Sequence, residues 1–151
     1  MPIIDSCPIA SNPICVSGHL DLSRAAFQAL GEDLVTGVFD IEWQRVEAPV
    51  SEVSGGVEVF VKDGSNPFHV ELQIQNHLNP IATIEGRTAG SSDAFTELAR
   101  QDYNFFVDAT GLGATAEVRV TDIFGNQVTL EVAITGGTST QADDQFPTCG
   151  G

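Results

Sequence analysis

The sequence predicts a mainly β chain in which a short helix-bearing segment precedes a sandwich of two antiparallel sheets. Three observations predict it. From position 57 onward apolar and polar residues alternate with the period of two expected of half-buried strands, most cleanly over 68–75. Clusters of Gly, Asn, Asp and Pro interrupt these runs at short intervals, as in sandwich folds. Only one stretch, 21–31, has helical spacing.

In chain order, the helix over 21–31 has Asp21 or Ser23 as its cap. Leu22, Ala26, Phe27 and Leu30 form its apolar face, and Gly31 ends it. A strand is predicted over 38–46, with Phe39, Ile41 and Trp43 on one side and Asp40, Glu42 and Gln44 on the other. Pro49 interrupts, and the polar stretch 51–56 reads as the joint between two domains. Val57, Val59 and Val61 then alternate with Glu58, Phe60 and Lys62, and Asp63-Gly64-Ser65-Asn66-Pro67 makes a turn. In 68–75, Phe68, Val70, Leu72 and Ile74 share one side, and His69, Glu71, Gln73 and Gln75 the other. Further strands are predicted at 81–85, 104–107, 117–121 and 127–134, with turns at Asn79-Pro80, at 111–113 and at Gly125-Asn126. The polar stretch 137–151 reads as a flexible tail. The roughly fifty residues before the joint are few for an independent core, because small domains bury little surface.

The 151 residues are 42% hydrophobic, which excludes a disordered chain, and no apolar run is long enough to span a membrane. Twenty-one acidic against six basic residues give a net charge of −15, and Lys62 is the sole lysine. That balance argues against nucleic acid, anionic membrane surfaces and acidic polymers, and suits a neutral polymer. Cys7 and Cys15 bracket a short loop that a disulfide could close in an oxidising compartment, and three unrelated thiols is the alternative. Their spacing fits no zinc pattern, and no cofactor motif or catalytic triad is present.

Two blocks of sequence resemble a known family. The first is Asp5-Ser6-Cys7-Pro8 with the later run His19-Leu20-Asp21-Leu22-Ser23-Arg24-Ala25-Ala26-Phe27. The second comprises Lys62-Asp63-Gly64-Ser65-Asn66-Pro67-Phe68-His69, Gln75-Asn76-His77-Leu78-Asn79-Pro80, Asp102-Tyr103-Asn104-Phe105-Phe106-Val107 and Val118-Arg119-Val120-Thr121-Asp122-Ile123-Phe124-Gly125. In this order they resemble bacterial and fungal expansins, and Gln145-Phe146-Pro147 resembles the end of such proteins. The resemblance implies a partial double-psi β-barrel over 1–50, lacking its N-terminal half, and an immunoglobulin-like cellulose-binding sandwich over 55–136. It further implies a secreted, extracellular monomer whose leader is missing with that barrel half. The implied activity is binding and loosening of cellulose or another neutral cell-wall polysaccharide without bond cleavage or cofactor. A glycoside hydrolase related to the double-psi-barrel endoglucanases is the alternative, and it needs a paired acid and base.

By resemblance, Asp21 is the groove aspartate at the position of the general acid in the related family-forty-five endoglucanases; the plainer reading is a helix cap. Asp5 is a second groove candidate, or an ordinary strand-end aspartate. His19 and His77 read as structural hydrogen bonders. Phe68, His69 and Tyr103 take the positions of the family's flat aromatic line, which stacks on sugar faces. Alternation supports an outward His69 but gives Phe68 the parity of Val70 and Leu72, which is that of core. Phe105 and Phe106 read as core. Glu71, Gln73 and Gln75 share the side of His69, as a rim for sugar hydroxyls or as a solvated sheet face.

Overall fold

The computed structural model describes Ala10, residues 13–44 and residues 49–148. Asp5, Cys7 and Cys149 lie outside the described residues. The chain divides into two compact units, Met1–Val46 and Glu47–Gly151.

In the first unit, helix α1 spans Arg24–Ala29. Ser23, and not Asp21, caps it: the Ser23 hydroxyl accepts from the Ala26 N–H at 3.2 Å. Gly31, at φ +91°, ends the helix in the left-handed conformation that glycine adopts without strain. Phe27 packs edge-on against Phe39 with centroids 4.8 Å apart, and the Trp43 indole donates to the Gly18 carbonyl at 2.9 Å. The strand expected over 38–46 is not formed across the described residues 38–44. Its alternation is real, since Phe39 and Ile41 are half-buried, but a strand needs a paired neighbour. Among the described residues of this unit none is fully buried.

The second unit is a sandwich of two antiparallel sheets. Its strands are β1 (Glu58–Val61), β2 (Val70–Gln75), β3 (Ile81–Thr88), β4 (Thr96–Glu97), β5 (Ala99–Arg100), β6 (Phe106–Asp108), β7 (Thr115–Asp122), β8 (Gln127–Ala133) and β9 (Thr138–Gln141). One sheet has the order β5-β6-β2-β1-β9 and the other β4-β3-β7-β8. Val57, Val59, Val61, Val70, Leu72 and Ile74 face inward from the first sheet, and Ile84, Val118, Val120, Val128 and Val132 meet them from the second. Ile81 and Ile84 both face inward although their spacing is odd. The register of β3 on β7 shifts between Ile81 and Thr83, and such an extra residue reverses the alternation beyond it.

The expected flexible tail is corrected. Thr138–Gln141 forms β9 along the edge of β1, and Phe146 is buried in the core. Backbone pairing with β1 and burial of an aromatic ring outweigh a polar composition that carries no strand signal. The joint is likewise held: Asn76, at φ +50°, exchanges hydrogen bonds with Ser54, and Gln145 reaches the carbonyls of Asn76 and Gly55.

Candidate functional site

The site begins with two turns that flank strand β6 at its opposite ends in the five-stranded sheet. After β1, Asn66-Pro67-Phe68-His69 forms a tight turn in which the His69 N–H donates to the Asn66 carbonyl at 3.1 Å. Pro67 presets the first central position, and the Asn66 side chain accepts from the Phe68 N–H at 3.0 Å. The loop after β6 braces this turn. Asp108 accepts from Thr110 and Gly111, and Gly113 donates to the Pro67 carbonyl. A Cβ on Gly111 would lie 2.4 Å from that carbonyl oxygen, so only glycine allows the approach. Phe68 is therefore a turn residue at 79% exposure, and the core parity expected for it is corrected. Its alternation is interrupted because β2 starts only at Val70.

The second turn joins β5 to β6. Gln101 and Phe105 pair backbones at 2.7 Å, and Asn104 takes the left-handed conformation at φ +60° that asparagine tolerates. Tyr103 rides on this turn at 48% exposure.

Glu71 ties the two turns together. Its Oε2 accepts from Lys62 Nζ at 2.7 Å and from the Tyr103 hydroxyl at 3.0 Å, while Oε1 lies 3.3 Å from His69 Nε2. The hydrogen bond from Lys62 holds the Glu71 carboxyl below the ordinary carboxylate range against its partial burial, and Tyr103 and His69 add to the effect. The same bond raises the Lys62 ammonium, and burial followed by the bond to Glu71 raises the Tyr103 hydroxyl. Lys62 Nζ sits 5.0 Å from the Tyr103 ring centroid and 5.5 Å from that of Phe105.

Beyond Glu71 the outer face of the sheet carries Phe60, Gln73 and Gln75, opposite in parity to buried Val59, Val61, Leu72 and Ile74. Gln75 donates to Gln73 at 2.8 Å. Phe105 lies half-buried beside Tyr103, with centroids 5.7 Å apart, and within 6.3 Å of Phe60. The expectation that both Phe105 and Phe106 are core is corrected for Phe105. Adjacent strand residues face opposite ways, and Phe106 takes the core.

No protein-family model matches the chain. The chain is 35% identical over 112 residues to Expansin-YoaJ of Bacillus subtilis, a match covering 74% of this chain and 45% of that protein. It is 27% identical over 129 residues to Expansin-like protein 1 of Dictyostelium discoideum, covering 85% of this chain and 43% of the relative. The crystal structure of apo Clavibacter michiganensis expansin superposes with a TM-score of 0.65 at 27% identity, over 89% of this chain and 65% of that one. The chain is an expansin-like protein. A mutant of the same Clavibacter expansin, crystallised in complex with cellohexaose, superposes with a TM-score of 0.66. The expansin-like chain spans about half the length of the curated relatives it matches.

The remaining sequence candidates divide between the two units. In the first, His19 and Asp21 line one hollow of about 340 Å³ with Phe27, Phe39 and Ile41. Cys15 is disulfide-bonded. In the second, His77 Nδ1 donates to the Asn79 carbonyl at 2.8 Å, and burial lowers its pKa, consistent with a structural part. Three residues beside the expected set were missed as site residues: Lys62, Phe60 and Phe105. The alternation of Glu58, Phe60 and Lys62 with three buried valines already placed the first two on the outer face; Phe105 follows once Phe106 is assigned inward.

Proposed function

We propose that the sandwich binds a neutral β-1,4-linked glucan such as cellulose, with Phe68, His69 and Tyr103 stacking on sugar faces and Glu71, Gln73 and Gln75 at the rim. The observation that carries the reading is the joint clamp of Glu71 on Tyr103 and His69, which holds two exposed rings on the outer face of one sheet. Rings held in place lose little conformational freedom on binding. The cellohexaose complex of the Clavibacter expansin supports the choice of ligand. A surface of net charge −15 favours a neutral polymer over an anionic one.

The activity proposed is loosening of polysaccharide contacts without cleavage, by a secreted protein. Cys15 in a disulfide agrees with an oxidising compartment. Hydrolysis needs two carboxyl groups flanking the bond; Asp21 and Asp40 both line the hollow of the first unit, so an assay of sugar release decides between loosening and cleavage. Two measurements test the proposal. Tyr103→Ala is expected to weaken binding to microcrystalline cellulose roughly five-fold, the worth of one aromatic contact, with an unchanged melting temperature. The parent protein is expected to release no reducing sugar from soluble β-glucan. Binding by Tyr103→Ala equal to the parent would remove the surface, and sugar release abolished by Asp21→Asn would replace loosening by hydrolysis.

A further inference from the structure

The outer face of the five-stranded sheet holds a second row of rings that the family's aromatic line does not include. It shares Tyr103 and then departs across the strands through Phe105 to Phe60, with centroid steps of 5.7 and 6.3 Å. Phe105 lies one register step beyond the Leu72–Phe106 pair, next to Gln73, and Gln73 is paired with Phe60, which in turn faces Ser139 on β9. The row thus crosses β2 between two phenylalanines, with the hydrogen-bonded amides of Gln73 and Gln75 alongside. Both phenylalanines are half-buried, so each keeps part of its ring in solvent.

The rings are not coplanar. Tyr103 and Phe105 are inclined by 38°, and Phe105 and Phe60 by 64°. A crystal face of cellulose is flat and can touch only rings that share a plane. An isolated glucan chain is free to twist, and its successive sugar rings can turn to follow inclined partners. Amides that both donate and accept suit the hydroxyls on the edges of such a chain.

We propose that Tyr103, Phe105 and Phe60, with Gln73 and Gln75, form a second binding track that takes a single, twisted chain of a neutral polysaccharide. It rests on the reading of Tyr103 as a sugar-stacking residue and branches from it. One module would then hold a crystal face along the Phe68 side and a loose chain across the sheet.

The test compares soluble cellohexaose with microcrystalline cellulose for the parent, Phe60→Leu and Tyr103→Ala, using the full chain. Leucine keeps apolar bulk at position 60 but offers no flat ring. Phe60→Leu is expected to weaken cellohexaose binding roughly three- to ten-fold, the worth of an aromatic contact, and by more than it weakens binding to the crystal. Cellohexaose titrated into the parent is expected to shift the ring resonances of Phe60 and Phe105 together with those of Tyr103, a readout that needs no variant. The second track is overturned, and the Tyr103 reading kept, if Tyr103→Ala weakens binding while Phe60→Leu does not and the phenylalanine resonances stay fixed. It is also overturned if Phe60→Leu weakens both ligands equally. Parent-like binding of both ligands by Tyr103→Ala would remove the reading on which the track rests.

Discussion

The two outer faces of the sandwich use similar residues to opposite ends. On the four-stranded sheet, Arg119 grips both oxygens of Glu85 at 2.7 and 2.8 Å, and Arg87 holds Glu117 at 2.7 Å. The two guanidinium groups lie 4.2 and 4.4 Å from the centroid of Phe95. That ring is occupied by cations of its own chain. On the five-stranded sheet one lysine serves the carboxylate of Glu71 and lies beside Tyr103 and Phe105, while Phe68 and Tyr103 stay open to solvent. An aromatic ring on a sheet surface is thus not by itself a binding group. Phe95 lies against two guanidinium groups, whereas Phe68 and Tyr103 keep 79% and 48% of their surface in solvent.

The largest effect should come from removing the open rings. The double variant Phe68→Ala/Tyr103→Ala is expected to lose roughly 25-fold in affinity for cellulose in a depletion assay, two aromatic contacts of about five-fold each. A melting temperature near that of the parent would accompany it, since both side chains are exposed; a collapse of stability would return Phe68 to the core. Enlarging the face should act in the other direction. His69→Trp is expected to tighten binding several-fold, because a larger ring gives more stacking area. An unchanged isotherm would mean that position 69 does not meet the ligand.

A smaller effect should follow from titrating the clamp. The folded pKa of Glu71 is depressed, so its contribution is complete above the ordinary carboxylate range and is lost as pH falls through its lowered value. Cellulose binding is expected to be flat through neutral pH and to fall only in acid. Glu71→Gln should be weaker than the parent at neutral pH and lack that acid step; a parent-like acid step in Glu71→Gln would detach the clamp from binding. The smallest effect is expected on the covered face. Arg119→Ala, which uncovers part of Phe95, should lower the melting temperature modestly and leave the cellulose isotherm where it was. Weaker binding by Arg119→Ala would extend the ligand surface to the second sheet and erase the contrast between the faces.

Strands were legible in the sequence where one face is core and the other solvent without interruption. That holds for β1, β2, β7 and β8, whose buried and outer residues alternate as expected. The edge strands β4, β5 and β9 were not legible, because two to four polar or exposed residues carry no period and owe their conformation to the neighbour they pair with. The irregularity after Ile81 is invisible for the same reason. At the site, the outward side of β2 was read correctly from alternation, but beginning the strand at position 68, while the Asn66-Pro67 turn still runs, gave Phe68 a core parity it does not have. Tyr103 has no periodic signal at all; it was found through resemblance alone, since a turn with a left-handed asparagine sets its position. In the first unit the alternation of Phe39 and Ile41 promised a strand, and pattern without a partner did not suffice.

The sandwich is entered and left at one seam. Val57 N–H donates to the Asp144 carbonyl, Ala142 N–H donates to the Val57 carbonyl, and the Gln145 amide reaches the Gly55 carbonyl. A body attached in this way hangs beside a line of tension instead of lying within it. Pulling on the two segments loads the few hydrogen bonds of the seam first, opening them one after another. Strands β2 and β6, which carry Glu71 and adjoin Phe105, lie away from that load path. The seam can give way mechanically while the Glu71 clamp stays closed.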